Sequence, residues 1–153
     1  MTTIYVDADA CPVKDEIYKV AKRYELTVTV VANTHLSVPK AKWLKMIVVN
    51  SGLDAADDWI AETAGAEDIV VTGDIPLASR CLESGAVVID HKGGEFTEDR
   101  IGEALASREI QAQLREAGHV TKGPPPFENK DRSQFLQRLD QVINAIKRRR
   151  KSL

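Results

Sequence analysis

Apolar residues along this chain fall into two alternating patterns. Short, almost unbroken β-branched runs occur at TIYV (Thr3 to Val6), LTVTVVA (Leu26 to Ala32), MIVVN (Met46 to Asn50), DIVVTGD (Asp68 to Asp74) and AVVID (Ala86 to Asp90). Runs this short, without polar alternation, predict strands covered on both faces, as in a parallel sheet. Between them lie stretches with helical spacing. Helices are predicted from about Pro12 to Tyr24, from Asp54 to Ala64 and from Pro76 to Ser84, with Gly65 and Gly85 as stops. The segment NTHLSVPKAKWLK, which contains Pro39, predicts a loop with a short helix. Alternation of strand and helix predicts an α/β fold: a central parallel sheet of about five strands flanked by helices.

The last third changes character. Thr97 to Gly118 is helical in pattern, as one helix or two, and three successive prolines, Pro124 to Pro126, then demand an extended loop. RSQFLQRLDQVINAIKRRR follows, with Phe135, Leu136, Leu139, Val142, Ile143 and Ile146 along one face. This amphipathic helix packs either within the chain or against another copy. The reading is one domain over residues 1–153. An αβ core spans 1–91, and a helical extension spans 92–153 with a Pro-rich loop at 123–127 and a basic tail at 147–151.

Composition narrows the class. At 153 residues the chain can bury about 68–70% of its unfolded surface, so its core needs no disulfide or structural metal. Hydrophobic content of 43% and charged content of 29% are ordinary for a water-soluble domain, and no apolar run approaches the length of a membrane span. The N-terminus enters a strand directly, without the layout of a signal peptide, so the expected location is the cytoplasm with no membrane partner. Cys11 and Cys81 stand far apart in no ligand spacing and are expected as free thiols. Neighbouring aspartates would raise the Cys11 pKa, which argues against a nucleophilic thiolate. A net charge of −2 makes the whole chain no magnet for polyanions, although KRRRK (Lys147 to Lys151) could follow a phosphate backbone or simply be a solvated tail.

The carboxylates carry the chemistry. Asp7 and Asp9 follow the first strand, Asp74 ends IVVTGD, Asp90 ends VVID, and Asp54, Asp57 and Asp58 open a helix. In a parallel sheet these positions share the carboxyl edge, where ligands bind. Helical spacing places Asp54 and Asp58 on one face and turns Asp57 partly away. Each acid also has a structural reading: Asp54 and Asp74 as helix caps, Asp57 and Asp58 as dipole partners, Asp90 as a turn residue. Together they describe an oxygen-rich site suited to Mg²⁺ or Mn²⁺. Zinc fits poorly, because His35, His91 and His119 are scattered.

DADACPVK, VAN (Val31 to Asn33), GLDAADDWI, DIVVTGDIPLASRCLESGA, GGEFTEDRIG and GPPPF, in that order, resemble the bacterial YaiI/YqxD family across nearly the whole chain. That family is grouped with PIN-like domains, so the resemblance implies a PIN-like three-layer fold and a metal-dependent nuclease acting on RNA or DNA, with RNA favoured. It implies Asp7 as the acid after the first strand, Asp54 and Asp58 as helix-start acids, and Asp74 as the acid after the fourth strand. These would hold one or two Mg²⁺ or Mn²⁺ ions, with Asp7 and Asp74 central to catalysis and Asp9 bound through water or supporting from behind. VVTGDIPLA is also similar to the serine-glycine-aspartate stretch of NYN-type relatives, with Thr72 in place of serine.

Two other readings stay open. Asp7-Ala8-Asp9 also resembles the first motif of haloacid-dehalogenase-type phosphatases, in which Asp7 would be the nucleophile. Against it, IPLASR after Asp74 lacks that group's further acid, and a helix begins near Pro12 where that group inserts a hairpin. The other reading is a non-catalytic nucleic-acid or partner-binding module.

Overall fold

A computed structural model describes residues 2–9, 11–50, 52, 54–119 and 126–151. Five strands form one sheet: β1 (Thr3–Asp7), β2 (Thr27–Ala32), β3 (Leu44–Val48), β4 (Ile69–Val71) and β5 (Val87–Ile89). All are parallel, in the order β3-β2-β1-β4-β5. The helices are α1 (Lys14–Tyr24), α2 (Ala55–Thr63), α3 (Ile75–Glu83), α4 (Glu98–Glu116) and α5 (Asn129–Lys151). The α/β architecture, with its parallel sheet between helices and a C-terminal helix, is the one the hydrophobic pattern predicts.

Side-chain alternation divides the sheet between two cores. Ile4, Val6, Val28, Val30, Ile69, Val71 and Ile89 face one way and pack with Ile17 and Val20 of α1 and with Phe135, Leu139 and Ile143 of α5. Tyr5, Val31, Val70 and Val88 face the other way, against Ile60 of α2, Leu77 and Cys81 of α3, and Ile101 at the start of α4. The C-terminal amphipathic face is therefore buried within its own chain. Both cysteines are buried free thiols.

Two local features differ from the pattern-based expectation. The connection from β2 to β3 contains no helix: residues 33–43 run irregularly, with Leu36, Val38, Ala41 and Trp43 packed against the first core. Pro39 removes a donor and biases Val38 away from helical backbone. The segment is held by this side-chain burial and, at its end, by the Trp43 carbonyl accepting from the Val28 N–H at 2.8 Å. Helix α2 ends at an extended Ala64 rather than at a left-handed glycine, whereas Gly85 closes α3 as expected with φ of 86°. The stretch after Thr97 forms a single helix. Thr97 caps α4 by accepting from the Arg100 N–H at 3.1 Å. Residues 120–125, and with them most of the Pro-rich loop, lie outside the described residues.

The basic tail is the last turn of α5. Lys147 lies 4.4 Å from the centre of the Tyr24 ring, and Arg150 lies 3.5 Å from Glu67. Among the described residues no helix is long and apolar enough to cross a membrane.

Gly93 fixes how closely the loop after β5 approaches α5. Its φ is +88°, and a Cβ there would lie 2.6 Å from the Gln134 carbonyl oxygen. Gly93→Ala combines left-handed strain with backbone overlap, for an expected loss of roughly 2–4 kcal/mol in urea unfolding. An unchanged midpoint would show that loop and helix do not meet this closely.

Candidate functional site

Strand order reverses between β1 and β4, so the crevice at their carboxyl ends is where this topology leaves room for a ligand. A cleft of about 400 Å³ opens there, walled by Asp7, Asp9, Asn33, Asp54, Asp57, Gly73, Asp74 and His91. Asp7 ends β1, and Asp9 is exposed on the turn that follows. Asn33 comes directly after β2. Asp74 caps α3 by accepting from the Leu77 N–H at 3.0 Å, and it faces the cleft as well. Its capping role and its place in the cleft are compatible, because a carboxylate has several acceptor sites.

Thr72 joins the two central acids. Its buried hydroxyl donates to Asp7 Oδ2 at 2.8 Å and accepts from the Asp74 backbone N–H at 3.0 Å. One side chain thus fixes the position of one carboxylate and the backbone that carries the other.

The helix-opening acids are arranged differently from the helical-wheel expectation. Asp57 lines the cleft, whereas Asp58 turns into an adjoining depression and pairs with Arg80 at 2.7 Å. The cause is local backbone. Asp54 is not in the helix: it precedes α2 in left-handed conformation (φ 65°, ψ 11°), so spacing counted from it does not follow the helical wheel. Its side chain makes no capping bond, so the carboxylate is left for the cleft. A non-glycine residue in this conformation is strained, and such strain gathers at functional sites. Asp90 proves to be a turn residue. It accepts from the Lys92 N–H at 2.8 Å and the Gly94 N–H at 2.9 Å, and it pairs with Arg100.

Burial first, and crowding of charge second, show in the acidities of Asp7 and Asp57. Burial raises the Asp7 pKa, opposed by the Thr72 hydrogen bond and reinforced by Asp74 and Asp9. Burial raises Asp57 to about 6, with further upward contributions from Asp74, Asp7 and Asp54. Burial holds His91 below its ordinary value, with Asp90 acting the other way, and its Nε2 has no hydrogen-bond partner among the described residues. Burial pushes Cys11 and Cys81 up to about 11, which removes them as thiolate nucleophiles near neutrality.

Asp57 gives a pH prediction. Its folded pKa lies above the ordinary 3.8, so its favourable contribution is complete below about pH 4 and is lost as pH rises through 6. Discounted for solvent screening, the cost at pH 7 is on the order of 1 kcal/mol. In chelator at pH 7, Asp57→Asn should melt about 2–4 °C above wild type. The gap should close towards pH 4; a gap that persists there would rule out charge crowding as its source.

Among the described residues, no three carboxylate, imidazole or thiol groups stand close enough to hold an ion directly. The donors around the cleft are nearly all oxygens, the set preferred by hard cations that keep several waters and borrow ligands from a phosphate substrate. Asn33, Asp57, Thr72 and His91 extend the site beyond the acids expected from sequence. Asn33 and Thr72 stand in the VAN and VTGD stretches, immediately after strands, and that position was the available signal. Nothing in the sequence brings His91 to Gly73, where a Cβ would lie 3.7 Å from His91 Cε1.

Fold and cleft together define a three-layer α/β protein with an acidic crevice at the switch point of a parallel sheet. The chain belongs to the family described as "Uncharacterized BCR, YaiI/YqxD family", which matches residues 5–145. It is 54% identical over 149 residues to the UPF0178 protein of Parvibaculum lavamentivorans, covering 97% of this chain and 98% of that relative. It is 56% identical over 149 residues to a UPF0178 protein of Bradyrhizobium diazoefficiens, covering 97% of this chain and 89% of the relative. No solved structure matches the chain.

Proposed function

We propose that this protein is a divalent-metal-dependent nuclease, hydrolysing phosphodiesters of RNA in preference to DNA. The observation that carries the reading is the convergence of Asp7, Asp9, Asp54, Asp57 and Asp74 on one cleft at the switch point, where burial and then neighbouring carboxylates raise the pKa of Asp7 and of Asp57. An anionic cleft would repel a phosphodiester unless a cation stood between them. The PIN-like resemblance of the sequence points to the same chemistry and to RNA.

Asp7, Asp54 and Asp74, with Asp9 and Asp57 beside them, would hold Mg²⁺ or Mn²⁺, partly through water. The ion, when bound, neutralises phosphate charge and activates water for in-line attack. Asp58, paired with Arg80 in the adjoining depression, takes a lesser part. Thr72 keeps Asp7 in place and, by donating to it, favours its ionised form. His91, whose imidazolium is disfavoured by burial, can offer the cleft a hydrogen bond from an uncharged ring; taking up a proton there would add a positive charge.

The test is calorimetric titration of the metal-free protein with Mn²⁺, followed by incubation of the same samples with labelled single-stranded RNA. Saturable binding with cleavage that stops in chelator supports the nuclease. Binding without cleavage favours a cation-stabilised binding module. No binding at all would leave the acids as caps and solvated turns and defeat the proposal.

A further inference from the structure

A second surface, away from the acidic cleft, has the opposite charge. Two depressions on the outer side of α5 share Arg138 and Gln141 and so form one groove. One end is made by Lys92, Gly93 and Gly94, directly after the cleft residue His91. The other end is lined by Arg148 and Arg149, past a floor of Val87, Val142 and Ile146. From Gln134 to Arg149 the helix supplies about 22 Å of wall. Direction matters here. The start of α5 lies at the carboxyl edge of the sheet, where Arg132 donates to the Pro12 carbonyl at 2.7 Å; its end lies near Glu67, just before β4. The groove therefore leads from the loop that carries His91 towards the opposite edge of the sheet.

We infer that this groove is the track for the backbone of a single-stranded RNA whose scissile end reaches the acidic cleft. The inference rests on the nuclease reading for the strand's destination, but not for its binding. Four basic residues and one acid, Glu95, line the groove, so its field attracts polyanions while the cleft repels them. Arg138 donates through Nε to the Gly93 carbonyl at 3.0 Å, which fixes its guanidinium on the groove wall. Neither Arg138 nor Arg149 is paired with a carboxylate among the described residues. Lys92 already lies 4.0 Å from Asp131, and Arg148 also has an interaction within the chain, so Arg138 and Arg149 are the cations that would meet phosphate. Gln134, Gln137 and Gln141 add amides that both donate and accept, able to meet any base or a 2′-hydroxyl.

Shape selects among polyanions. A membrane-surface site sets large apolar residues outward beside its cations. Here Val142 and Ile146 are buried in the groove floor, and the exposed large apolar residues, Val48, Leu105, Ile110 and Leu114, belong to β3 and α4. A concave channel with basic walls instead suits a single strand followed by its phosphates.

The experiment is anisotropy of a short labelled single-stranded RNA titrated with the full chain in chelator, across a range of salt. Wild type, Arg138→Gln/Arg149→Gln, Arg149→Gln and Asp7→Asn are compared. Arg149→Gln leaves the Gly93 anchor untouched and separates lost charge from disturbed structure. The double variant should bind about tenfold more weakly, and its slope of log affinity against log salt should shrink by about 1.4, from two phosphate contacts at about 0.7 each. Arg149→Gln should give about half that change in slope, and Asp7→Asn should bind at least as well as wild type. Equal affinity and slope in wild type and double variant overturns the track. So does a wild type that ignores RNA but binds phosphatidylglycerol vesicles. The two proposals fail separately: if the arginine variants lose binding while wild type never cleaves RNA with Mn²⁺, the track stands and the nuclease falls. If cleavage proceeds but is indifferent to the arginines at limiting RNA, the track falls and the nuclease stands.

Discussion

Asp7→Asn is expected to lower Mn²⁺-dependent RNA cleavage by about 10²–10³-fold, the size of loss seen when one preorganised electrostatic partner is removed from a site. The substitution changes charge but scarcely changes shape. An asparagine oxygen can still accept from Thr72, so the turn after β1 keeps its anchor. What disappears is a central negative charge of the cleft. In chelator the variant should be no less stable than wild type at pH 7, because burial and the charges of Asp74 and Asp9 oppose ionisation of Asp7 in the fold. Loss of activity with retained or improved stability separates a cation-holding acid from a structural one. Asp74→Asn should lose cleavage similarly, with some added instability from the weakened α3 cap. Asp58→Asn should lose less than Asp57→Asn, since Asp58 faces Arg80 outside the main cleft. Full cleavage by Asp7→Asn, measured under single-turnover conditions, would remove the acid cluster from the mechanism.

Phe135→Ala should cost roughly 3–5 kcal/mol, a large part of the 5–15 kcal/mol that holds a typical domain together. Phe135 is fully buried and belongs to the same core as β1, β2 and β4. Truncation forfeits transfer energy and leaves a cavity that the sheet, paired on both sides of β1, cannot collapse to fill. Urea unfolding should show a lower midpoint in a single transition. Two separated transitions, or a loss under about 1 kcal/mol, would mean that α5 is an attachment rather than a wall of the core. The site should feel the change too. Arg132, one turn before Phe135 on α5, donates to the Pro12 carbonyl and to Glu16 at 3.1 Å, tying α5 to the segment that follows Asp9.

Much of this architecture was legible because strand runs such as IVVTGD and AVVID have no polar alternation, and burial on both faces is the main reason for such a pattern. Asp7 and Asp74 were legible for a related reason: a carboxylate directly after a buried strand falls at the carboxyl edge whatever the details. Asp57 and Asp58 were not. Their directions depend on a left-handed residue at Asp54, a backbone choice that helical periodicity does not encode. His91 escaped because its approach to Gly73 joins the ends of two different strands, a relation with no trace in local spacing.

The sequence by itself determined that this chain is α/β, that its strands apart from the half-exposed edge strand β3 are largely buried on both sides, and that several acids share one edge of the sheet. Those properties follow from local periodicity and from the fixed polarity of parallel strands. Only the tertiary structure decided the strand order that opens the cleft between β1 and β4, the link from Asp7 through Thr72 to Asp74, and the groove along α5. These depend on contacts between residues far apart in the chain, and such contacts are set by how the layers pack together.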